Sequence, residues 1–599
     1  MHDNHLFEFS TEFFENVSNE ETIFLVNASY NRISSLLGGG STVFINILDL
    51  SHNLLESLSK DFFDSVGPNI QQTILSNNRI MHIENAVFGS LPRLEVLNLR
   101  DNSINSVKKR TFAAMPALQI LDLSRNKISQ LSVEQFHNMR RLRFLRLDAN
   151  ELRSLPRDCF KNTILEHLDL SDNLLTIFPS SALAQVGFTL RRLELARNRL
   201  EYLDAAMFHA IAFLHELSLA RNALTVLSDN TFAGLSKLRH LNLSHNAIKT
   251  NFKELFHNLP RLRRLALAGA GLRVVPHLPL ANLTELDLSG NHVTSYRESD
   301  VRWLAQLHVL DLTRNRLTSL QPAMWAALPR LISLDVSSNP IVRVTRGSFE
   351  GLDRLLHLRM EHLWHLETIE PRAFRPLSSL RSLALECPVA ASGRSTMTPG
   401  DIASSPPALE SLTLHMREDI LDVQLTRLRA PKLRVLEVSG SALQQVKAGA
   451  FSALGEQRAL ALRLRGTGVR ALPAGLLRPL ARVPFHVWTH SMLMLCRWSG
   501  SVWEPAAVRV LGVVGGRVAA ALGGGGGRRG AGRARDGAAQ RVPDGRGGRR
   551  ARTAGRAVEP RAPRRVTCAA CAIADLARII VCAQIVNVAN TFGGTLIGE

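Results

Sequence analysis

The sequence predicts an α/β solenoid of about nineteen coils, with a parallel, concave β-sheet on one side and an irregular, short-helical return on the other. Two columns of residues in a common register carry that prediction. The first is the frame L-x-L-x-x-N, clear in Leu121-Asp122-Leu123-Ser124-Arg125-Asn126, Leu168-Asp169-Leu170-Ser171-Asp172-Asn173, Leu241-Asn242-Leu243-Ser244-His245-Asn246 and Leu310-Asp311-Leu312-Thr313-Arg314-Asn315. Its asparagine falls at Asn31, Asn53, Asn78, Asn102, Asn126, Asn150, Asn173, Asn198, Asn222, Asn246, Asn291, Asn315 and Asn339, with Ala270 standing in once. Successive steps are mostly 24 residues, within 21 to 25. The second column is an aromatic ten residues after the asparagine, at Phe63, Phe88, Phe112, Phe136, Phe160, Phe208, Phe232, Phe256, Trp325, Phe349 and Phe451. The register continues at Leu363, Pro388, Arg417, Ser441 and Thr467, where the asparagine is missing.

Each part of the frame has a physical role. Leucines at alternate positions turn their side chains to one face of a short strand, and the residues between them face outward. The asparagine amide both donates and accepts, so it can satisfy backbone groups that the turning chain leaves unpaired in the interior. The aromatic fills the wider return side of each coil. With paired strands about 4.8 Å apart, the sheet would run on the order of 85 Å, a surface suited to a macromolecular partner.

The segment 1–25 reads as an atypical N-terminal piece or an incomplete first coil, and the solenoid proper spans 26–480. Between Pro388 and Arg417 the step lengthens to 29, and the extra residues, Ala390 to Pro407, are rich in Ser, Pro, Gly and Thr, as in an inserted surface loop. Residues 481–567 form an Arg/Gly/Ala-rich tail, and 568–599 a short apolar segment with cysteines. No Lys follows Lys447, and that abrupt change of character reads as disordered chain or as GC-rich sequence translated outside its natural frame.

The 24-residue repeat with an aromatic spine, as in Leu217-Ser218-Leu219-Ala220-Arg221-Asn222 through Phe232-Ala233-Gly234-Leu235, resembles the typical extracellular class of leucine-rich repeat, a horseshoe-shaped fold. The long array without cysteine-rich interruptions is similar to the chaoptin-like cell-surface adhesion proteins. That resemblance implies an extracellular or cell-surface glycoprotein, membrane association, and a protein partner that could be a second copy of the chain. A Toll-like innate-immune receptor ectodomain and an intracellular repeat scaffold are the alternatives.

In such an array, binding belongs to the outward strand positions and insertions. An acidic column follows the first leucine, at Asp49, Asp122, Asp169, Glu194, Asp287, Asp311 and Asp335. A partly basic one precedes the asparagine, at His52, Arg125, Arg197, Arg221, His245 and Arg314. Repeat consensus, with the two columns neutralising each other, competes there with a charged recognition strip; Arg125, Arg197, Arg221 and Arg314 are the candidate concave-face contacts. Four N-x-S/T sequons, Asn16, Asn27, Asn242 and Asn282, are candidate glycosylation sites.

A net charge of +20 suggests nucleic acid, but residues 497–567 contribute +12 of it and residues 1–496 only +9. The tail lacks interleaved aromatics to stack bases, so no nucleic-acid partner is expected. Gly525 to Gly530 fits a G-x-G-x-x-G spacing without a following helix pattern, and Cys568, Cys571 and Cys582 lack a fourth zinc ligand. Cys159, Cys387 and Cys496 are isolated. No metalloprotease, P-loop or nucleophile-elbow motif occurs, so no enzyme, small-molecule substrate, metal or cofactor is expected. Met1 to Phe9 does not read as a signal peptide, and the best apolar run, Ile579 to Ala589, is too short to span a membrane.

Overall fold

The computed structural model describes residues 1–476 apart from short stretches, the longest at 15–22, 387–399, 402–405 and 455–459, and beyond them the strands Phe485–Thr489 and Val508–Val510. Asn16, Cys387, Cys496, most of the insertion Ala390 to Pro407, the Gly525 to Gly530 run and Cys568, Cys571 and Cys582 lie outside the described residues. The described residues belong to the unit Met1–Gly516.

Twenty-one described strands form one parallel sheet, running from Ile23–Asn27 to Val508–Val510. Each pairing joins neighbours along the chain, and among the described residues none joins the first strand to the last, so the sheet is an open ladder. The strands from Ile23–Asn27 to Leu460–Arg465 take one from each coil of the repeat. Most are only three residues long, because the alternation x-L-x needs one buried leucine between two outward residues. Leu121, Leu145 and Leu168 stand in direct register and are buried.

The asparagine ladder is a stitch between coils. Ile128 N–H donates to Asn150 Oδ1 at 3.0 Å, while Asn150 Nδ2 donates to Leu123 O of the preceding coil and to Leu147 O of its own, both at 3.0 Å. The same pattern recurs at Asn53, Asn78, Asn102 and Asn126. These amides are buried, so each bond satisfies a backbone group that water cannot reach. The aromatic column is fully buried from Phe63 to Phe451 and stacks coil on coil, with Phe112–Phe136 centroids 6.2 Å apart and Phe136–Phe160 6.0 Å. Trp325 fits the column because its indole N–H finds Ser348 O at 2.7 Å. Phe374, eleven residues after Leu363, continues the spine against Phe349 at 5.3 Å.

The return side carries short helices such as Lys60–Val66, whose Ser59 side chain accepts from Phe62 N–H, and the 3-10 turn Ala205–Ile211, capped by Asp204. Small two-stranded parallel pairs, His82–Ile83 with Ser106–Val107 among them, link adjacent coils there.

At the N-terminal side, Met1 to Phe14 stack on the first full coil in the repeat geometry. Asp3 has φ +56, like Tyr30 and His52 at the corresponding positions, and Asn4 N–H donates to Asn31 Oδ1 at 3.2 Å. Phe14, ten residues after Asn4, packs against the core. Both the asparagine and the ten-residue spacing are visible in the sequence.

Past Asn339 the strands change. His357–Met360, Ser382–Glu386, Ser411–His415, Val435–Ser439 and Leu460–Arg465 run four to six residues, extending beyond the point where the laddered strands end. Leu363, Arg417 and Ser441 offer no amide to close the turn, and backbone pairing continues instead, with Glu386 registered on His415 and His415 on Ser439.

Candidate protein-docking face

Parallel register turns the outward strand residues into two rows across the sheet. One row contains Arg192, Glu216, His240, Arg264 and Glu285 on consecutive strands. They pair across the strands in a network of two groups: Arg192 Nε reaches Glu194 Oε1 at 2.9 Å and Arg192 Nη1 reaches Glu216 Oε2 at 3.1 Å. His240 Nδ1 meets Glu216 Oε1 at 3.1 Å, and Arg264 Nε meets Glu285 Oε1 at 2.9 Å. The bond from His240 holds Glu216 below the usual carboxylate range, against the opposing effect of burial. Beside this network Phe144 and His167 pack ring to ring at 4.6 Å, and burial lowers the His167 pKa.

The second row holds Asp122, Arg146, Asp169 and Glu194. Arg146 is largely buried, 3.8 Å from Asp122 and 3.5 Å from Asp148. Burial pushes the Asp148 carboxyl up to about 6, and the Asp169 and Asp122 carboxylates add to that rise while Arg146 opposes it. Glu194 is raised for the same first reason. Further along, Asp287, Asp311 and Asp335 stand side by side, and Arg359 closes that run at 3.4 Å from Asp335.

The acidic column has a local role as well. Asp49, Asp122, Asp169, Asp287, Asp311 and Asp335 each accept, through Oδ1, the N–H two residues on at 2.8–3.0 Å, which closes the strand end. A short carboxylate can curl back onto its own backbone in this way. The ion partners of these carboxylates come from neighbouring strands, Arg146 and Arg359, rather than from the basic column.

Arg125, Arg197, Arg221 and Arg314 are exposed but do not lie on the strands. They occupy the turn that follows, all with φ between +52 and +55, a conformation that side chains other than glycine enter at a cost. Their backbone N–H groups compensate by donating into the next coil, as from Arg125 to Asp148 O at 2.8 Å and from Arg197 to Ala220 O at 2.7 Å. Arg197 pairs with Asp172 of the preceding turn at 3.3 Å, and Arg221 lies 3.3 Å from His245. These side chains therefore line one rim of the sheet.

Of the sequons, Asn27 and Asn242 end strands and accept from Ser29 and Ser244 N–H, both at 3.0 Å. Asn282 is exposed just before its strand, with Nδ2 on Pro260 O at 2.9 Å. Cys159 is buried, and that burial pushes its thiol up to about 12, so it is unreactive at neutral pH. Among the described residues no helix is long and apolar enough to cross a membrane. One metal-capable group that no sequence motif marked assembles where the ends of two extended strands, Glu386 and His415, meet the turn of the coil before, His362. Its members stand 24 and 29 residues apart, and only the strand register reveals them as neighbours.

The leucine rich repeat family model matches residues 45–104, 92–152, 212–272, 281–341 and 331–386. Chaoptin of Tribolium castaneum is 32% identical over 87 residues, covering 13% of this chain and 11% of chaoptin, so the likeness spans about a tenth of that protein's length. Among solved structures, the crystal structure of a TLR13–ssRNA13 complex aligns over 77% of this chain and 81% of that chain, with a TM-score of 0.48 and 19% identity. An LRR protein of Leptospira interrogans aligns over 74% of this chain and 89% of its own, with a TM-score of 0.42 and 22% identity. The stitched coils, the aromatic spine and the family match together make this chain a leucine-rich repeat protein that resembles chaoptin.

Proposed function

We propose that the chain is a non-enzymatic, cell-surface adhesion or recognition protein that docks a protein partner on the sheet face around Arg192, Glu216, His240 and Arg264. The observation that carries this reading is the network itself. Charges of both signs sit on a rigid parallel sheet, half-buried and already paired, where an incoming surface of complementary pattern can exchange ion pairs without reorganising the backbone. The rim arginines Arg125 and Arg314 extend the face toward the partner. Alternating sign also suits a second copy of the chain, since each positive position has a negative one on the neighbouring strand. The likeness to chaoptin supports the adhesive role and the extracellular setting. Glycans at Asn27 or Asn242 would restrict docking on their own coils, whereas one at Asn282 would leave the network open.

The test is adhesion of beads coated with the full chain, to one another and to dissociated cells. The double reversal R192E and R264E should reduce clustering or cell capture at least tenfold, with circular dichroism showing the fold retained although repulsion from Glu194, Glu216 and Glu285 lowers the thermal midpoint. Adhesion that survives the double reversal would remove the sheet face from the mechanism.

A further inference from the structure

The strand extension past Asn339 places three side chains of metal-binding type at one point. Glu386 ends its strand in register with His415, and His362 sits on the turn of the coil before, at φ +56. The His362 and His415 rings are 4.6 Å apart in a T-shaped arrangement. One ligand atom from each of His362, Glu386 and His415 lies within 4.8 Å of the others. An ion at the centre of such a triangle is at most about 2.8 Å from each atom, so less than about 1 Å of side-chain movement brings all three to the 2.0–2.2 Å of zinc–nitrogen and zinc–oxygen bonds.

A second observation concerns Glu386 alone. Its side chain is fully buried, and its two oxygens have different fates. Oε2 accepts the His362 N–H at 2.8 Å, replacing the backbone carbonyl that receives the equivalent turn N–H in the laddered coils. Among the described residues Oε1 has no hydrogen-bond partner, and Arg417 Nε stands 3.8 Å away. A buried carboxylate oxygen left this way is costly unless a cation compensates it. We infer that His362, Glu386 and His415 form a binding site for a divalent transition-metal ion of the zinc type, with Glu386 Oε1 as the anionic ligand and a further coordination position left for water or a partner side chain.

The surroundings fit that assignment. Two imidazoles and one carboxylate are a donor set that zinc accepts, and the set lacks the many oxygens that calcium or magnesium would require. His415 Nδ1 is 3.2 Å from Ser439 Oγ, the outer contact that orients a ligating ring and leaves Nε2 for the metal. Arg417 is the opposing charge: it stacks over Trp364 at 5.6 Å and must yield Oε1 to the ion. Glu361, held by Arg359 at 2.7 Å, adds negative charge on the preceding coil.

Titration of the full chain with Zn²⁺ against a competing chelator tests the site, alongside the visible spectrum of the Co²⁺ form. The wild-type chain should bind one ion that H362A, E386Q and H415A each weaken at least tenfold, and the Co²⁺ form should show intense bands of low coordination number without thiolate charge transfer. R417M should tighten binding several-fold by removing the competing cation, an effect that a folding defect cannot imitate. Equal affinity in wild type and all three ligand variants would overturn the assignment. So would a thiolate spectrum that persists in them, which would put the ion on the C-terminal cysteines, or a loss of affinity in R417M.

Discussion

The coils up to Asn339 and those from Leu363 onward share one sheet and one spine, yet they end their strands by different means. In the first set an amide closes the turn from inside, so the strand stops after x-L-x and the chain bends with φ near +55 at the preceding residue. In the second set no such amide is present, and backbone pairing carries the strand up to two residues further. The extra outward position becomes available to side chains, and Glu386, His415 and Ser439 occupy it. Losing a structural residue thus opens a position where chemistry can be placed.

The sharpest way to break this comparison is to remove the same column from both sets. Asn150→Ala leaves the buried Ile128 N–H without its acceptor, while Leu123 O keeps Asn126 Nδ2 and Leu147 O keeps Asn173 Nδ2, and should cost about 2 kcal/mol. Ser441→Ala, at the same register position in an extended coil, should cost less than about 0.5 kcal/mol, since Ser441 is exposed. Denaturant melts of the two variants measure the contrast, and equal costs would mean that the ladder is not what ends the short strands.

Both sets also bury a carboxylate, and here the laddered set makes the next prediction. Asp148 titrates near 6 in the folded protein, above its ordinary value of 3.8. A folded-state pKa raised in this way favours the native state below about pH 4, and that benefit is lost as pH rises through about 6. At pH 8 the ionised group is therefore a burden. Asp148 is shielded but not sealed from water, so the burden is about 1–2 kcal/mol rather than the full shift. Asp148→Asn should raise the melting temperature at pH 8 and leave it nearly unchanged at pH 4, with the difference growing across the window 4 to 6. A destabilisation that is uniform in pH would show instead that pairing with Arg146 outweighs burial.

Legibility in the sequence follows the same division. The leucine, asparagine and aromatic columns could be read directly because each satisfies a need within one repeat: alternation, turn closure and filling. Asn4 and Phe14 carry the same ten-residue spacing, although their coil is partial. What the sequence could not convey was direction and partnership. Arg125 and Arg314 resemble strand-face residues until the left-handed turn moves them to the rim. The acidic column looks like a binding strip until each Oδ1 is found on the N–H two residues along. His362, Glu386 and His415 belong to no motif, since their proximity depends on how far each strand extends after the ladder is lost.

Ala270 supplies the smallest and most discriminating case, a single missing rung within the laddered set. Its coil is otherwise intact: Gly269 holds φ +59, as the residues before the asparagines do, and Leu272 N–H still reaches Asn291 Oδ1 at 3.0 Å. A Cβ at Gly269 would lie 2.5 Å from His245 Nδ1, so a side chain there would make the exposed His245 ring move. Strand length at this coil remains three, Arg264–Ala266, even without the rung's own hydrogen bonds, with laddered coils on both sides. The absent part of the stitch is its reach toward Ile248 N–H and Leu243 O of the preceding coil. Ala270→Asn should restore it and stabilise the chain by about 1 kcal/mol, raising the midpoint of thermal unfolding by about one degree. Ala270→Val, which adds volume without an amide, should give no gain. If the valine variant is stabilised as much as the asparagine one, filling rather than stitching is what the column contributes.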